Sequence, residues 1–377
     1  MNTNPSARTL LLSQRQLIDH VSYCCLYEFE DLIREIDTVD LVTPTNSYDF
    51  SKQVFTWVKR FTRSAQFAQW ITPDPNPVVL DQEYDLFFNI LAGPGLFLAV
   101  DSIKNWRKKC KKAVCYIIEI WENSIPGWRP ILELLKDFDH IFLGVSHATE
   151  AVAEITGVPC SYLPPSVDTI KFCPYLPSPH RDIDVCYIGR RSAITHQVLL
   201  ELAKQKKFFY YYDTAKRFHV LDPNEHRTLL ANLTKRSRYL IANKANANEP
   251  HKTGKHTEIG YRFFEGAAAG AVMIGEPPAT EQFNKYFDWS DAVIPIPFDA
   301  PNIGDVIAEL DAQPERLEKI SQDNVVNSLL RHDWVYRWRQ VLEAVDIQPT
   351  PQLLDREAHL KHLAEQITLG TMGTLLN

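Results

Sequence analysis

The stretch EIGYRFFEGAAAGAVMIG, residues Glu258–Gly275, predicts a helix that is followed at once by a buried strand. Gly260 permits a close approach of the backbone just before the helix begins. We expect the helix at Tyr261–Ala269, whose small residues allow close packing on a sheet, and the strand at Ala271–Ile274. Such a connection is typical of α/β folds, in which helices cover parallel strands.

The start of this helix has the features of an anion-binding site. Amide N–H groups in a first turn have no intrahelical partner, so they favour a phosphate. Glu265 lies about one turn further on, where its carboxylate could accept hydrogen bonds from the hydroxyl groups of a ribose. Taken alone, the same residues fit equally well a capped helix whose glutamate offsets the macrodipole.

Short apolar runs alternate with amphipathic helical patterns along most of the chain, which predicts α/β architecture with parallel sheets. A segment rich in proline, CPYLPSPHR at Cys173–Arg181, separates two such series. We therefore expect domains at residues 1–175 and 182–345, followed by a helical tail at 346–377. The predicted strands are Thr9–Leu12, Val39–Val42, Leu86–Leu91, Cys115–Ile120, His140–Val145, Ser161–Leu163, Asp184–Ile188, Phe208–Tyr212, Tyr239–Asn243, Ala271–Ile274 and Ala292–Ile294.

Composition narrows the classes of function. With 45% hydrophobic and 23% charged residues the chain is an ordinary globular protein, and its net charge of −7 argues against nucleic-acid binding. The N-terminus has no signal-peptide pattern, no run is long enough to cross a bilayer, and the seven cysteines form no CxxC pair. We expect a cytoplasmic protein with free thiols, without a metal site or cofactor, since no convincing DxD motif or His/Cys cluster occurs.

Three further segments, together with Glu258–Gly275, resemble the GT-B glycosyltransferases, especially the large retaining group known as glycosyl transferases group 1. LPPSVDTIKFCP at Leu163–Pro174 is similar to the interdomain segment of that group, and DVCYIGRRS at Asp184–Ser192 to the first strand of its C-terminal domain. The run Ile307–Val345 is similar to its closing helices. The resemblance implies two Rossmann-like, doubly wound parallel-sheet domains that face a central cleft.

The resemblance also implies a binding site for a nucleotide-diphosphate sugar. Glu265 matches the family glutamate that binds the ribose, and Arg190 matches the arginine that contacts the diphosphate. Gly260, Tyr261 and Arg262 match the loop whose backbone meets the phosphates and the sugar.

Two positions depart from the family pattern. Thr257 stands where the first family glutamate is expected, and Glu258 is the nearest carboxylate. The lysine that usually follows the Gly-Arg pair is absent, so we expect Arg191 or Lys244 to take its place as a cation. A fixed array of cations and helix amides would then stabilise the departing diphosphate without a metal.

The N-terminal domain should bind the acceptor at the carboxyl ends of its strands. Gln14 and Arg15 follow the first strand, while Glu119 and Glu122 lie in CYIIEIWENSIPGW. Glu122 could orient or deprotonate an acceptor hydroxyl, although a surface carboxylate near a turn is an equally good interpretation.

A basic run, KNWRKKCKK at Lys104–Lys112, would surround Trp106 with cations if it were a helix. It could then touch an anionic membrane or a lipid-linked acceptor, but a solvated helix end is the commoner explanation of such a run.

The sequence thus predicts transfer of a sugar from a nucleotide sugar to a sugar, lipid-linked or small-molecule acceptor. An epimerase or phosphorylase on the same fold and a catalytically inactive nucleotide-sugar-binding protein remain alternatives. A nicotinamide-dependent oxidoreductase would need a GxGxxG turn after a first strand, and neither half of the chain has one.

Overall fold

A computed structural model describes residues 7–44, 49–73, 77–175, 179–205, 207–214 and 218–369. The chain forms two compact units, each with its own core. The first contains Met1–Pro164, His219–Pro223 and Arg337–Leu353, and the second contains Pro165–Phe218, Asn224–Tyr336 and Leu354–Asn377. Residues 176–178 of the predicted linker and 370–377 of the predicted tail lie outside the described residues, and the predicted domain limits remain a prediction.

The first unit is built on a parallel six-stranded sheet in the order β2-β1-β4-β6-β7-β8, while β3 and β5 pair separately. Its strands are β1 (Thr9–Leu12), β2 (Val39–Val42), β3 (Val78–Val79), β4 (Tyr84–Leu91), β5 (Ile103–Lys104), β6 (Cys110–Ile117), β7 (His140–Leu143) and β8 (Cys160–Tyr162). Its helices are α1 (Cys24–Ile36), α2 (Asp49–Thr62), α3 (Ala65–Ile71), α4 (Trp106–Lys109), α5 (Ile125–Leu132) and α6 (Thr149–Thr156).

The second unit is built on a parallel five-stranded sheet in the order β10-β9-β11-β12-β13. Its strands are β9 (Ile183–Tyr187), β10 (Tyr210–Tyr212), β11 (Ser237–Ile241), β12 (Val272–Gly275) and β13 (Ile294–Pro295). The helices of this half of the chain are α7 (Thr169–Phe172), α8 (Ala193–Ala203), α9 (Pro223–Lys235), α10 (Pro250–Thr253), α11 (Tyr261–Ala268), α12 (Glu281–Tyr286), α13 (Ile303–Asp311), α14 (Pro314–Arg331), α15 (Trp334–Glu343) and α16 (Pro351–Thr368).

The apolar runs of the sequence are the strands of both sheets. The bounds of β1 and β2 are those predicted, and the other predicted strands overlap observed ones with shifted ends. Helix α11 ends one residue earlier than expected. The central strand β4 has apolar side chains on both faces, with Phe87 and Phe88 fully buried, as is usual for a parallel sheet covered on both sides. Within the described part of the chain, no helix is both long and apolar enough to span a bilayer.

The helix considered for Lys104–Lys112 is wrong. Only the single turn α4 is helical, and β6 begins immediately after it and pairs with β4. Trp106 does not stand among cations, because its ring packs against Phe87 and Phe138 at centroid distances of 4.9 and 5.1 Å. Packing of this aromatic ring and pairing of the strand outweigh the helical preference of the lysines.

The segment Arg337–Leu353 completes the core of the first unit. Trp338, on α15, is fully buried, and its ring lies 5.2 Å from that of Phe88. Its indole N–H donates to Asp37 Oδ2 at 3.0 Å, and the same carboxylate pairs with Arg8 at 2.7 Å. Residues from positions far apart in sequence therefore form one buried cluster of aromatic packing and hydrogen bonds.

We expect Trp338→Ala to lower the free energy of unfolding by about 3–5 kcal/mol, because it leaves a cavity beside Phe88 and removes the hydrogen bond to Asp37. Trp70→Ala is the matched control, since the Trp70 side chain is 80% exposed and its loss should change stability by about 0.5 kcal/mol or less. Urea unfolding followed by circular dichroism measures both. Equal effects of the two substitutions would contradict the role given to Trp338.

Candidate functional site

Most residues of the predicted donor site lie at the carboxyl edge of the second sheet. Arg190 and Arg191 follow β9, Lys244 follows β11, and Gly260 immediately precedes α11. Because parallel strands end at the same edge, loops that are distant in sequence come together there. This edge is where doubly wound sheets bind their ligands.

The start of α11 is held closely against the end of β11. Gly260 is extended, with φ −77° and ψ 150°, so its conformation alone does not require glycine. A Cβ atom at this position would lie 2.6 Å from the carbonyl oxygen of Asn243. The lack of space for a side chain is therefore what requires glycine here. The amide of Ala245 also donates to the carbonyl oxygen of Glu258 at 2.9 Å. Close backbone packing thus fixes the position of the amide groups that open the helix.

Glu265 is a buried carboxylate held between two arginines. It is 1% exposed, and its two oxygens accept hydrogen bonds from Arg227 on α9 and from Arg262 one turn before it. Burial opposes ionisation of Glu265, but the charges and hydrogen bonds of Arg262 and Arg227 outweigh it and lower the pKa to about 2. The carboxylate is therefore ionised at neutral pH.

The two arginines differ in their freedom to move. The Arg227 side chain is 3% exposed, and its guanidinium lies 4.8 Å over the ring of Phe172. The Arg262 side chain is 28% exposed. Arg227 is therefore fixed in the core, whereas Arg262 can exchange its partner without opening the core. Arg227 was not predicted from the sequence, because nothing in the residues around it indicates that it pairs with a carboxylate on another helix.

The remaining predicted cations each face a carboxylate. Arg190 pairs with Glu249 at 2.8 Å, and Lys244 pairs with Glu276 at 2.6 Å. Arg191 pairs with Asp213 and lies over the ring of Tyr212. An anionic ligand at this edge would therefore compete with Glu249, Glu276 and Asp213 for the three cations.

Two other predicted residues of the donor site lie at the start of α11. Glu258 is 3% exposed and lies just before Gly260, while the Tyr261 hydroxyl oxygen is buried in the first turn of α11. Both contribute to the packing at the start of this helix.

The carboxyl edge of the first sheet carries the predicted acceptor residues. Arg15 pairs with Glu30 and Asp31, both at 2.9 Å, and Ser13 donates to Glu30 at 2.5 Å. Burial raises the pKa of Glu30 to about 7, against the opposing charge of Arg15. Arg15 is thus engaged by carboxylates of α1.

The two predicted acceptor carboxylates have different surroundings. Glu119 accepts a hydrogen bond from the indole N–H of Trp121 at 2.6 Å, and the Trp121 ring stacks on His147 at 5.4 Å. Glu122 is exposed at the start of a short 3₁₀ turn, Glu122–Ser124. Of these two side chains, Glu122 is the more exposed one.

Asn89 is a polar residue of this edge that the sequence analysis missed. It pairs in register with Leu12 near the end of β4, and it is fully buried. Among the described residues, neither its amide nitrogen nor its oxygen has a hydrogen-bond partner, and the same holds for the side-chain nitrogen of Gln14. Asn89 could have been predicted from the sequence, because it is the one polar residue in the apolar run LFFNIL.

We expect Glu265→Ala to lower the free energy of unfolding by about 3–5 kcal/mol at neutral pH, because it leaves Arg227 buried without a counter-charge. The pKa of Glu265 is lowered from 4.5 to about 2, so its stabilisation is complete above about pH 4.5 and is lost as the pH falls toward 2. The difference from wild type should therefore shrink over that interval.

Glu201→Ala is the control for this experiment, since Glu201 pairs with Lys204 on the exposed surface of α8. It should leave the denaturation midpoint nearly unchanged at every pH. A Glu265→Ala protein as stable as Glu201→Ala would show that the buried cluster does not hold the second unit together.

Comparison with known proteins gives matches in sequence and in structure. Residues 191–343 match the family model described as glycosyl transferase-like. No curated protein matches the chain. Two solved structures are similar over 90% of this chain and 99% of theirs, each at 12% identity: Alr3699/HepE of Anabaena in complex with UDP-glucose, with a TM-score of 0.52, and an alpha-glucosyltransferase in complex with UDP-glucose and DNA containing an abasic site, with a TM-score of 0.51.

At this level of identity the structural similarity shows the fold, and it confirms the predicted α/β class with two parallel sheets of GT-B type. The sequence match overlaps the second unit from residue 191 to residue 336 and includes Arg191, Lys244 and Glu265. Residues 191–343 are therefore similar to the glycosyl transferase-like family, and the chain as a whole has the GT-B fold.

Proposed function

We propose that the protein transfers a sugar from a nucleotide-diphosphate sugar to an acceptor hydroxyl, and that the donor binds at the carboxyl edge of the second sheet. The observation that supports this most directly is the set of cations there, Arg190, Arg191 and Lys244, at the same sheet edge as the first turn of α11. Both similar structures are complexes with UDP-glucose, which makes UDP-glucose the first donor to test.

The proposed reaction breaks the bond between the anomeric carbon and the diphosphate oxygen, and the electron pair leaves with the diphosphate. The acceptor oxygen forms the new bond to the anomeric carbon and gives up its proton. Arg190, Arg191, Lys244 and the amides of α11 would stabilise the growing negative charge of the leaving group, as preorganised donors do. We propose that this array acts without a metal ion or cofactor, and that the anomeric configuration is retained, as the family resemblance implies.

Glu265 is the proposed ribose ligand, and its two arginines suggest how it would be released for that contact. Arg262 would leave Glu265 and pair with the donor phosphate, which frees one carboxylate oxygen for a ribose hydroxyl. Arg227 would stay and keep Glu265 ionised, because it is buried in the core. Glu258, Gly260 and Tyr261 complete the proposed pocket around the phosphates and the sugar.

On the acceptor side, Glu122 is the proposed base, because it is exposed beside the carboxyl edge of the first sheet. Glu119 is held by Trp121, so we propose that it positions the segment rather than receiving the proton. The acceptor would be a sugar, a small molecule or a lipid-linked hydroxyl. The membrane contact considered for Lys104–Lys112 has little support, because Arg107 pairs with Asp139, Lys111 pairs with Asp85 and the half-buried Trp106 ring packs against Phe138.

Calorimetry with UDP-glucose, GDP-glucose and ADP-glucose should show binding of one of the three. Arg190→Ala should weaken that binding by about tenfold or more, because a charge-assisted hydrogen bond to a phosphate contributes about 1.5–3 kcal/mol. Arg236→Ala is the matched control: its side chain is 52% exposed, against 51% for Arg190, and it lies before β11 at the opposite edge of the sheet.

Absence of binding by all three sugars would refute the donor site, and an equal loss in Arg236→Ala would refute its placement. Release of nucleoside diphosphate from the bound donor separates the alternatives. A transferase releases it when an acceptor hydroxyl is present and a phosphorylase when inorganic phosphate is present, whereas an epimerase returns an intact nucleotide sugar and an inactive binding protein leaves the donor unchanged.

A further inference from the structure

The outer surface of α2 and α3 in the first unit carries an unusual number of exposed aromatic side chains. They are 43–80% exposed, whereas aromatic residues in a soluble domain are mostly covered. The members are Phe50, Trp57 and Phe61 on α2 and Phe67 and Trp70 on α3.

These aromatic residues are not needed for the core. Helix α2 is anchored by Phe55 and Val58, which are 3% and 9% exposed, and α3 by the buried Ala65 and Ala68. Phe50, Trp57 and Phe61 are spaced by seven and four residues, so they form a separate stripe along one side of α2. Both helices are therefore apolar on two sides.

The exposed rings are arranged in pairs. The centroids of Trp57 and Phe61 lie 4.6 Å apart, and those of Phe67 and Trp70 lie 5.9 Å apart. Each pair forms a continuous apolar area larger than one side chain. Contiguous exposed apolar area of this kind marks an interaction surface rather than ordinary surface variation.

Basic side chains accompany the rings. Residues 49–73 include four basic residues and one acidic residue, in a chain whose net charge is −7. Arg60 and Arg63 are exposed, and Arg60 lines a shallow depression with Gln53, Thr56 and Trp57. In the part of the chain that the structure describes, no carboxylate pairs with Arg60 or Arg63.

We propose that this aromatic–basic face, formed by Phe50, Trp57, Phe61, Phe67 and Trp70 with Arg60 and Arg63, docks on the surface of a bilayer that contains anionic lipids. Tryptophan and phenylalanine would enter the interface between headgroups and acyl chains, and the basic residues would contact lipid phosphates. An amphipathic helix with this combination of side chains lies in the plane of a membrane interface.

Charge favours a lipid surface over a second copy of the chain. A two-fold dimer through this face would bring the same residues of both copies together, and so would place Arg60 and Arg63 near their own equivalents. Their repulsion would oppose the contact. Anionic headgroups instead supply the opposite charge over the whole face. The proposal does not depend on the donor site, so each can fail without the other.

Co-sedimentation of the full-length protein with vesicles tests the proposal. Wild type should bind vesicles that contain phosphatidylglycerol and should bind vesicles of phosphatidylcholine alone much more weakly. Trp57→Ala/Trp70→Ala should lower the partition coefficient by about tenfold or more, since two inserted rings are lost. Arg60→Gln/Arg63→Gln should lower it similarly, at about fivefold per basic residue, and increasingly so as the salt concentration falls.

Two controls match these variants. Lys108→Gln/Lys112→Gln removes the same charge from the other basic segment, and Phe209→Ala/Leu229→Ala removes two exposed apolar side chains from the second unit. Both should bind vesicles like wild type, and circular dichroism should show that all variants are folded. The proposal fails if wild type does not bind anionic vesicles, or if either control loses as much binding as the variants. It also fails if light scattering without lipid shows a dimer that Trp57→Ala/Trp70→Ala dissociates.

Discussion

The buried ion pair between Glu265 and Arg227 is the constraint on which the second unit depends. A carboxylate with so little access to water is stable only when its charge is balanced nearby. Arg227 on α9 supplies that balance from 38 residues earlier in the chain, so the pair ties α9 to α11. Since α11 is also packed against β11 through Gly260, the position of its first turn is fixed from both sides. A rigid row of amides at a sheet edge is what binding of a diphosphate requires.

Much of the fold could be predicted from the sequence, because the signal for a buried parallel strand is local. Runs such as TLLL and VDLV identify β1 and β2, and the small residues after Phe264 indicate α11. Local sequence patterns do not predict the secondary structure where tertiary packing determines it. The lysines around Trp106 favour a helix, but the Trp106 ring packs against Phe87 and the chain continues as strand β6.

The candidate site was less predictable for the same physical reason. Arg190, Arg191, Lys244 and Glu265 could be placed at one sheet edge because strand order and chain direction determine that edge. Their partners could not be predicted from the sequence. Pairing of Glu265 with Arg227 or of Arg190 with Glu249 depends on how the helices and loops fold in three dimensions. Asn89 could be predicted in part. Its polar side chain is visible in an apolar strand, but only the structure shows that its amide is buried and has no partner among the described residues.

The inclusion of Arg337–Leu353 in the first unit has a consequence for how the protein is made. During synthesis the first 164 residues leave the ribosome long before Trp338 does, so the surface of Phe88 that Trp338 will cover stays open while residues 165–336 are translated. Domains usually fold in the order in which they emerge, but here the earlier unit must wait for Arg337–Leu353. Until then it presents an uncovered apolar site, the kind of surface that chaperones bind, and a truncation before residue 337 would leave that site open permanently.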